Sequence, residues 1–187
     1  MKLTTFKSDF ILLFVALIWG LAFVAQRIGM DHIGPFTFNA IRFFLGCISL
    51  LPLLIFSRNK NRFKAEAGLI SSSIVSGIFL FAGISLQQVG LVYTTAGKAG
   101  FITGLYVIFV PFLNLFLKQE KTTLPTWAGA VLAAIGMYLL SVTQTMQVNK
   151  GDVLVLFSAV CFAFHLIVIA RFSIQFNTAK LSFLQCL

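Results

Sequence analysis

The chain has 187 residues, a formal net charge of +9 and only 10% charged residues, with a mean hydropathy of +0.98. A soluble domain carries about 25% charged residues, so an ordinary soluble fold is excluded. The positive charge does not mark a nucleic-acid partner, because such proteins gather cations on one face or stripe, whereas these lie in short connections.

About 20 apolar helical residues cover the roughly 30 Å hydrocarbon core of a bilayer. In chain order the sequence predicts spans at 10–28, 35–56, 67–89, 96–117, 124–142 and 153–170. A seventh apolar segment starts near Leu181 and reaches Leu187, too short to cross. The chain therefore reads as cut off inside its seventh helix. Backbone polar groups in lipid must be satisfied internally, so the fold class is an all-α polytopic helical bundle in the lipid bilayer.

Basic residues fall in alternate connections. Lys2 and Lys7 precede span 1, four cations (Arg58, Lys60, Arg62, Lys64) follow span 2, Lys118 and Lys121 follow span 4, and Arg171 and Lys180 follow span 6. The positive-inside bias places the amino terminus in the cytoplasm of a cell-membrane protein. Span 1 is long and no A-x-A site follows it, so it reads as a retained anchor, not a cleaved signal. Cys47, Cys161 and Cys186 lie in or beside apolar helix without a C-x-x-C partner and read as buried structural thiols.

Sliding the chain on itself by 143 residues sets Asp9 on Asp152, Trp19 on Phe162, Pro35 on Thr178 and Arg42 on Gln185. Five spans separate the copies, so equivalent helices run in opposite directions. Such inverted repeats are common in secondary transporters, with substrate held near the midplane. Residues 9–143 are the expected first repeat and 151–187 the start of the second.

The candidate residues each carry two readings. Ala96, Gly100 and Gly104 form a small-xxx-small ridge on span 4 for close helix approach. Thr103, Tyr106 and Asn114 fall within about 80° of arc, given 3.6 residues per turn; they hydrogen-bond a neighbouring helix or line a cavity. Pro111 should bend the inner half of this span. Arg42 lies about 10 Å below the end of span 2 at 1.5 Å per residue, and an intramembrane cation is a functional candidate unless a structural partner satisfies it. Lys98 sits one turn into span 4, where the helix dipole disfavours a cation; it holds an anionic group or snorkels to water. Trp19, central in span 1, walls a pocket or packs in the core. His165 relays a proton or hydrogen-bonds within the bundle. Arg27 reads as an interface anchor, and Gln87 and Gln88 as wet residues closing span 3. Ser71, Ser72 and Ser73 bond back to their own helix, and Asp9 and Asp152 cap helix starts.

No H-E-x-x-H, G-x-S-x-G or P-loop motif is present, and no carboxylate pair lies within the spans. An enzyme is not expected, nor is a metal or cofactor site.

The segment Trp19-Gly20 followed by Pro35 and Arg42, the run YTTAGKAGFITGLYVIFVP at 93–111, Glu120, Trp127-Ala128-Gly129, and the restart at Gly151-Asp152 with His165 resemble the EamA-type permeases of the drug/metabolite transporter superfamily. The resemblance implies ten helices, cytoplasmic termini and transport of a small metabolite such as an amino acid, amine or nucleoside-like compound. It places Trp19, Arg42, Lys98, Thr103, Tyr106 and His165 around a substrate cavity. Helices three to five of the second repeat are missing from this sequence. Further chain or a second copy, as a homodimer, would have to complete the cavity. The rival expectation is a truncated, non-transporting membrane protein that serves as a partner or assembly subunit. A cationic pocket of Arg42 and Lys98 points to an acidic substrate.

Overall fold

A computed structural model describes residues 2–56, 66–117, 123–141 and 149–187. Every regular element among them is a helix: α1 (Lys2–Gly29), α2 (Pro35–Phe56), α3 (Glu66–Tyr93), α4 (Ala96–Gly104), α5 (Tyr106–Phe116), α6 (Leu124–Ser141), α7 (Lys150–Ser173) and α8 (Thr178–Gln185). Among the described residues, five segments are long and apolar enough to cross a membrane: Ser8–Gly29, Pro35–Ile55, Gly68–Tyr93, Ala96–Phe116 and Lys150–Ser173. The predicted fifth span falls on α6, which is not among these five. Its described apolar part, Leu124–Gly136, is shorter than a bilayer crossing, and Val142 lies outside the described residues.

Local chemistry sets the helix starts. Pro35 opens α2 at the position where a missing N–H costs nothing. The Thr95 hydroxyl caps α4 by accepting from the Lys98 N–H at 3.3 Å. Asn149 caps α7 by accepting from the Asp152 N–H, while Asp152 accepts from the Asn149 N–H, a complete capping box. Asp152 thus sits at the third helical position and shares the capping. Asp9 does not cap a helix, because α1 begins at Lys2 and runs through it.

Span 4 is not one continuous helix. It breaks at Leu105, between α4 and α5, where the Leu105 N–H turns back to Ile102 in a tight i−3 bond. Pro111, where a bend is expected, lies inside α5, and the break falls six residues earlier, next to Gly104.

The core is the seam between α3 and α7. Gly90 meets Gly151 and Val155, Gly83 meets Phe162, Phe79 stacks on Phe164 at 5.3 Å, and Gly68 meets Phe176. Rising numbers on α3 match falling numbers on α7, so the two helices are antiparallel. Small residues make this approach possible: a Cβ at Gly83 would stand 2.9 Å from the Phe162 ring, and one at Gly151 would press on the Gly90 carbonyl oxygen. Between helices surrounded by lipid, such close packing replaces the hydrophobic driving force. Leu91, Ala99 and Val155, with Phe23 and Ile102, close one end of the seam. Leu69, Phe176 and Leu181 close the other. The tightest small-residue contact thus lies on α3 and α7, while Ala96, Gly100 and Gly104 are only half-buried. The outward faces carry large apolar side chains from Phe10 onward, as a lipid-facing bundle requires.

Candidate functional site

Among the described residues, polar side chains inside the bundle gather in three groups. The first joins the end of α1, the start of α2 and the end of α3. Arg42 Nη1 donates to Gln26 Oε1 at 2.9 Å, and the Arg42 guanidinium lies 5.8 Å from the Phe43 ring centre. A Cβ at Gly29 would meet the Phe38 ring. With 26 opposite 42 and 29 opposite 38, α1 and α2 form an antiparallel hairpin. Gln88 Nε2 donates to Met30 Sδ at 3.2 Å, and Gln87 Nε2 donates to Thr103 Oγ1 at 2.9 Å. Asn39, one turn before Arg42 on the same face of α2, is buried with neither amide atom hydrogen-bonded; Gln88 Oε1 is likewise buried and unpaired.

The second cluster ties α3, α4 and α7. Thr94 Oγ1 donates to Asp152 Oδ1 at 2.5 Å, and Lys98 Nζ lies 3.7 Å from Asp152 Oδ2. Side-chain exposure is 17% for Lys98 and 9% for Asp152, so the pair is largely shielded from water. In the third cluster, Gln185 Oε1 accepts from Ser76 Oγ at 3.0 Å and pairs with His165 Nε2 at 3.1 Å, linking α3, α7 and α8. Asp152 and His165 are about 20 Å apart along α7 at 1.5 Å per residue. The second and third clusters therefore cannot grip one small molecule.

The six predicted site residues are accordingly divided. Arg42 donates to Gln26, and Thr103 accepts from Gln87 on α3. Lys98 does hold an anionic group, the carboxylate of Asp152 in its own chain. His165 bonds within the bundle. Tyr106 opens α5 at the break and is half-buried. Trp19 stands 55% exposed on α1, unenclosed by the described residues. A groove of about 810 Å³ lies between α2, α3 and α8, walled by Phe43, Cys47, Ile74, Ile78 and Phe81, with Gln185 at its edge; none of the six residues lines it.

Arg27 pairs with Asp31 at 2.9 Å on the exposed surface. Ser71 and Ser73 bond back to Gly68 and Leu69. The three cysteines are free and half-buried, more open than structural thiols in a packed core. Gln87 and Gln88 are not wet: 6% and 0% exposed, they are covered by α1, α4 and Met30. Gln26 and Asn39 were legible as polar residues inside apolar spans, and the three-residue spacing of Asn39 and Arg42 puts both on one helix face.

No solved structure matches the chain. A protein of Archaeoglobus fulgidus described as an uncharacterized transporter is 37% identical over 178 residues, covering 95% of this chain and 54% of that relative. The uncharacterized transporter YoaV of Bacillus subtilis is 25% identical, covering 79% of this chain and 49% of its own length. A probable amino-acid metabolite efflux pump of Salmonella typhimurium is 27% identical, covering 72% and 42%. The chain spans about half the length of these curated relatives. Residues 6–142 match the EamA-like transporter family, and with the apolar helices already described, this chain belongs to that family of multi-pass membrane transporters.

Proposed function

We propose that residues 9–143 form the first five-helix repeat of an alternating-access transporter and 151–187 the opening of the second, with the amino terminus cytoplasmic. The cargo is a small organic metabolite bearing an acidic group, which favours an amino acid over amines and nucleoside-like compounds. The observation that carries this is Arg42: a cation inside an apolar span, held by the neutral oxygen of Gln26. Lys98, by contrast, has a carboxylate beside it. An intramembrane charge is costly to retain and marks substrate pathways; one held by a neutral partner keeps its attraction for an anion.

Several features support the repeat. Helices α2 and α8 start at Pro35 and Thr178, 143 residues apart. Arg42 and its counterpart Gln185 each reach back to the preceding long helix, to Gln26 and to His165. The antiparallel run of α3 against α7 is what inverted halves require. The α4–α5 break resembles the interrupted helices that transporters use near their sites.

The test is flux into liposomes containing the native full-length protein, with labelled amino acids, amines and nucleosides offered separately. Uptake of carboxylate-bearing compounds above the others is expected. Flux of amines or nucleosides alone would overturn the acidic-cargo assignment. No flux for any compound, with a membrane protein co-purifying in fixed ratio, would instead identify a non-transporting partner subunit.

A further inference from the structure

We infer that Asn39 and Gln88 form, together with Arg42, the subsite that reads a zwitterionic cargo, its carboxylate at Arg42 and its ammonium at the two amide oxygens. This rests on the acidic-metabolite assignment above and narrows it.

The hairpin register places the residues together. Gln26 faces Arg42 and Gly29 faces Phe38, so Asn39 lies opposite Ile28 and Gly29, a residue or two before Met30. Gln88 comes up to Met30 from α3 through its bond to Met30 Sδ. Asn39 is 7% exposed and Gln88 fully buried, yet Asn39 Nδ2, Asn39 Oδ1 and Gln88 Oε1 are unpaired. Buried polar groups are ordinarily paired, and unpaired ones cluster at functional sites. Two such atoms on Asn39, one helical turn from an intramembrane Arg, and a third on Gln88 beside Met30 match one ligand chemistry. The Arg42 guanidinium and Asn39 Nδ2 donate to a carboxylate. Asn39 Oδ1 and Gln88 Oε1 accept from an ammonium. A simple carboxylic acid would leave both oxygens unpaired, and a simple amine would place its charge beside Arg42. Met30 Sδ accepts from the Gln88 amide here. Its thioether is a weak acceptor on a flexible, unbranched side chain, so exchanging it for a ligand costs Gln88 little.

The experiment uses the native full-length protein in detergent and reads its melting temperature. L-alanine, L-leucine and L-phenylalanine are each compared with the des-amino acid of the same skeleton: propionate, 4-methylpentanoate and 3-phenylpropionate. Ligands that bind the folded state raise the melting temperature. At least one amino acid should bind about tenfold or more tighter than its des-amino partner, because the site's oxygens lose their donor with the latter. Asn39→Leu, close in shape, should melt higher than wild type without ligand and should narrow the gap between amino acid and des-amino acid, Gln88 Oε1 being the acceptor left for the ammonium. Equal binding of every pair by wild type overturns the subsite and leaves the acidic cargo standing. No binding of any of the six acids overturns both. A lower melting temperature for ligand-free Asn39→Leu shows that the amide is structural, and also overturns it.

Discussion

Asp152 carries more than its place at a helix start suggests. Its carboxylate accepts from the Asn149 N–H and from Thr94, and faces Lys98 at 3.7 Å. Removing one partner of a buried pair is costly because the other charge is left uncompensated, about 3–5 kcal/mol where burial is complete. The loss here is asymmetric. Asp152→Ala strips the α7 cap, orphans the Thr94 hydroxyl and leaves Lys98 unbalanced, so it should destabilise by about 3 kcal/mol or more. Lys98→Met leaves the carboxylate with two donors and should cost about 1–2 kcal/mol. Denaturation of the two variants in detergent checks the order. A larger loss for Lys98→Met would mean that the ion pair, not the hydrogen-bonded cap, holds this junction.

At the scale of elements, the α3–α7 seam explains why glycine and serine recur along two helices that otherwise look interchangeable with their neighbours. Gly151 sits where a Cβ would push against the Gly90 carbonyl and stand 2.9 Å from Tyr93 Cβ. Both are backbone-fixed and cannot swing away. Gly151→Ala should therefore destabilise by about 1–3 kcal/mol through overpacking. Gly136 in α6 meets nothing within 4 Å, so Gly136→Ala should be neutral or gain about 0.5–1 kcal/mol from helix propensity. Equal melting temperatures for the two variants would show that the seam yields freely. The other element-scale feature is the break at Leu105, which ends α4 and starts α5 at Tyr106 within the polar stripe expected from one uninterrupted helix. Thr103, on α4, is turned to Gln87, while Tyr106 opens the next helix.

Across the whole molecule, length and apolarity made the helices visible in the sequence, because a bilayer imposes both. Partnerships were less visible. Gln87 and Gln88 stand at a span end and look wet, and only the packing of α1 and α4 shows that they are covered. Lys98 was recognisable as oddly placed, but its anion came from a helix more than fifty residues away in sequence. The break lies at a Leu, a good helix former, so propensity pointed to Pro111 instead. Arg42 could be singled out from composition alone, since a cation within an apolar span needs a reason. What surrounds it, Gln26 across the hairpin and Asn39 one turn away, followed once the hairpin register was known.

The central claim is that Arg42 attracts the acidic group of the cargo, and carboxylate flux by Arg42→Gln in liposomes tests it most directly. A hydrogen bond to a charged group contributes about 1.5–3 kcal/mol. Flux of the preferred carboxylate should fall roughly ten- to a hundredfold, with melting temperature little changed because Gln26 meets a neutral amide in place of the guanidinium. Undiminished flux in a folded Arg42→Gln protein would contradict the account and leave Arg42 a structural residue of the α1–α2 hairpin.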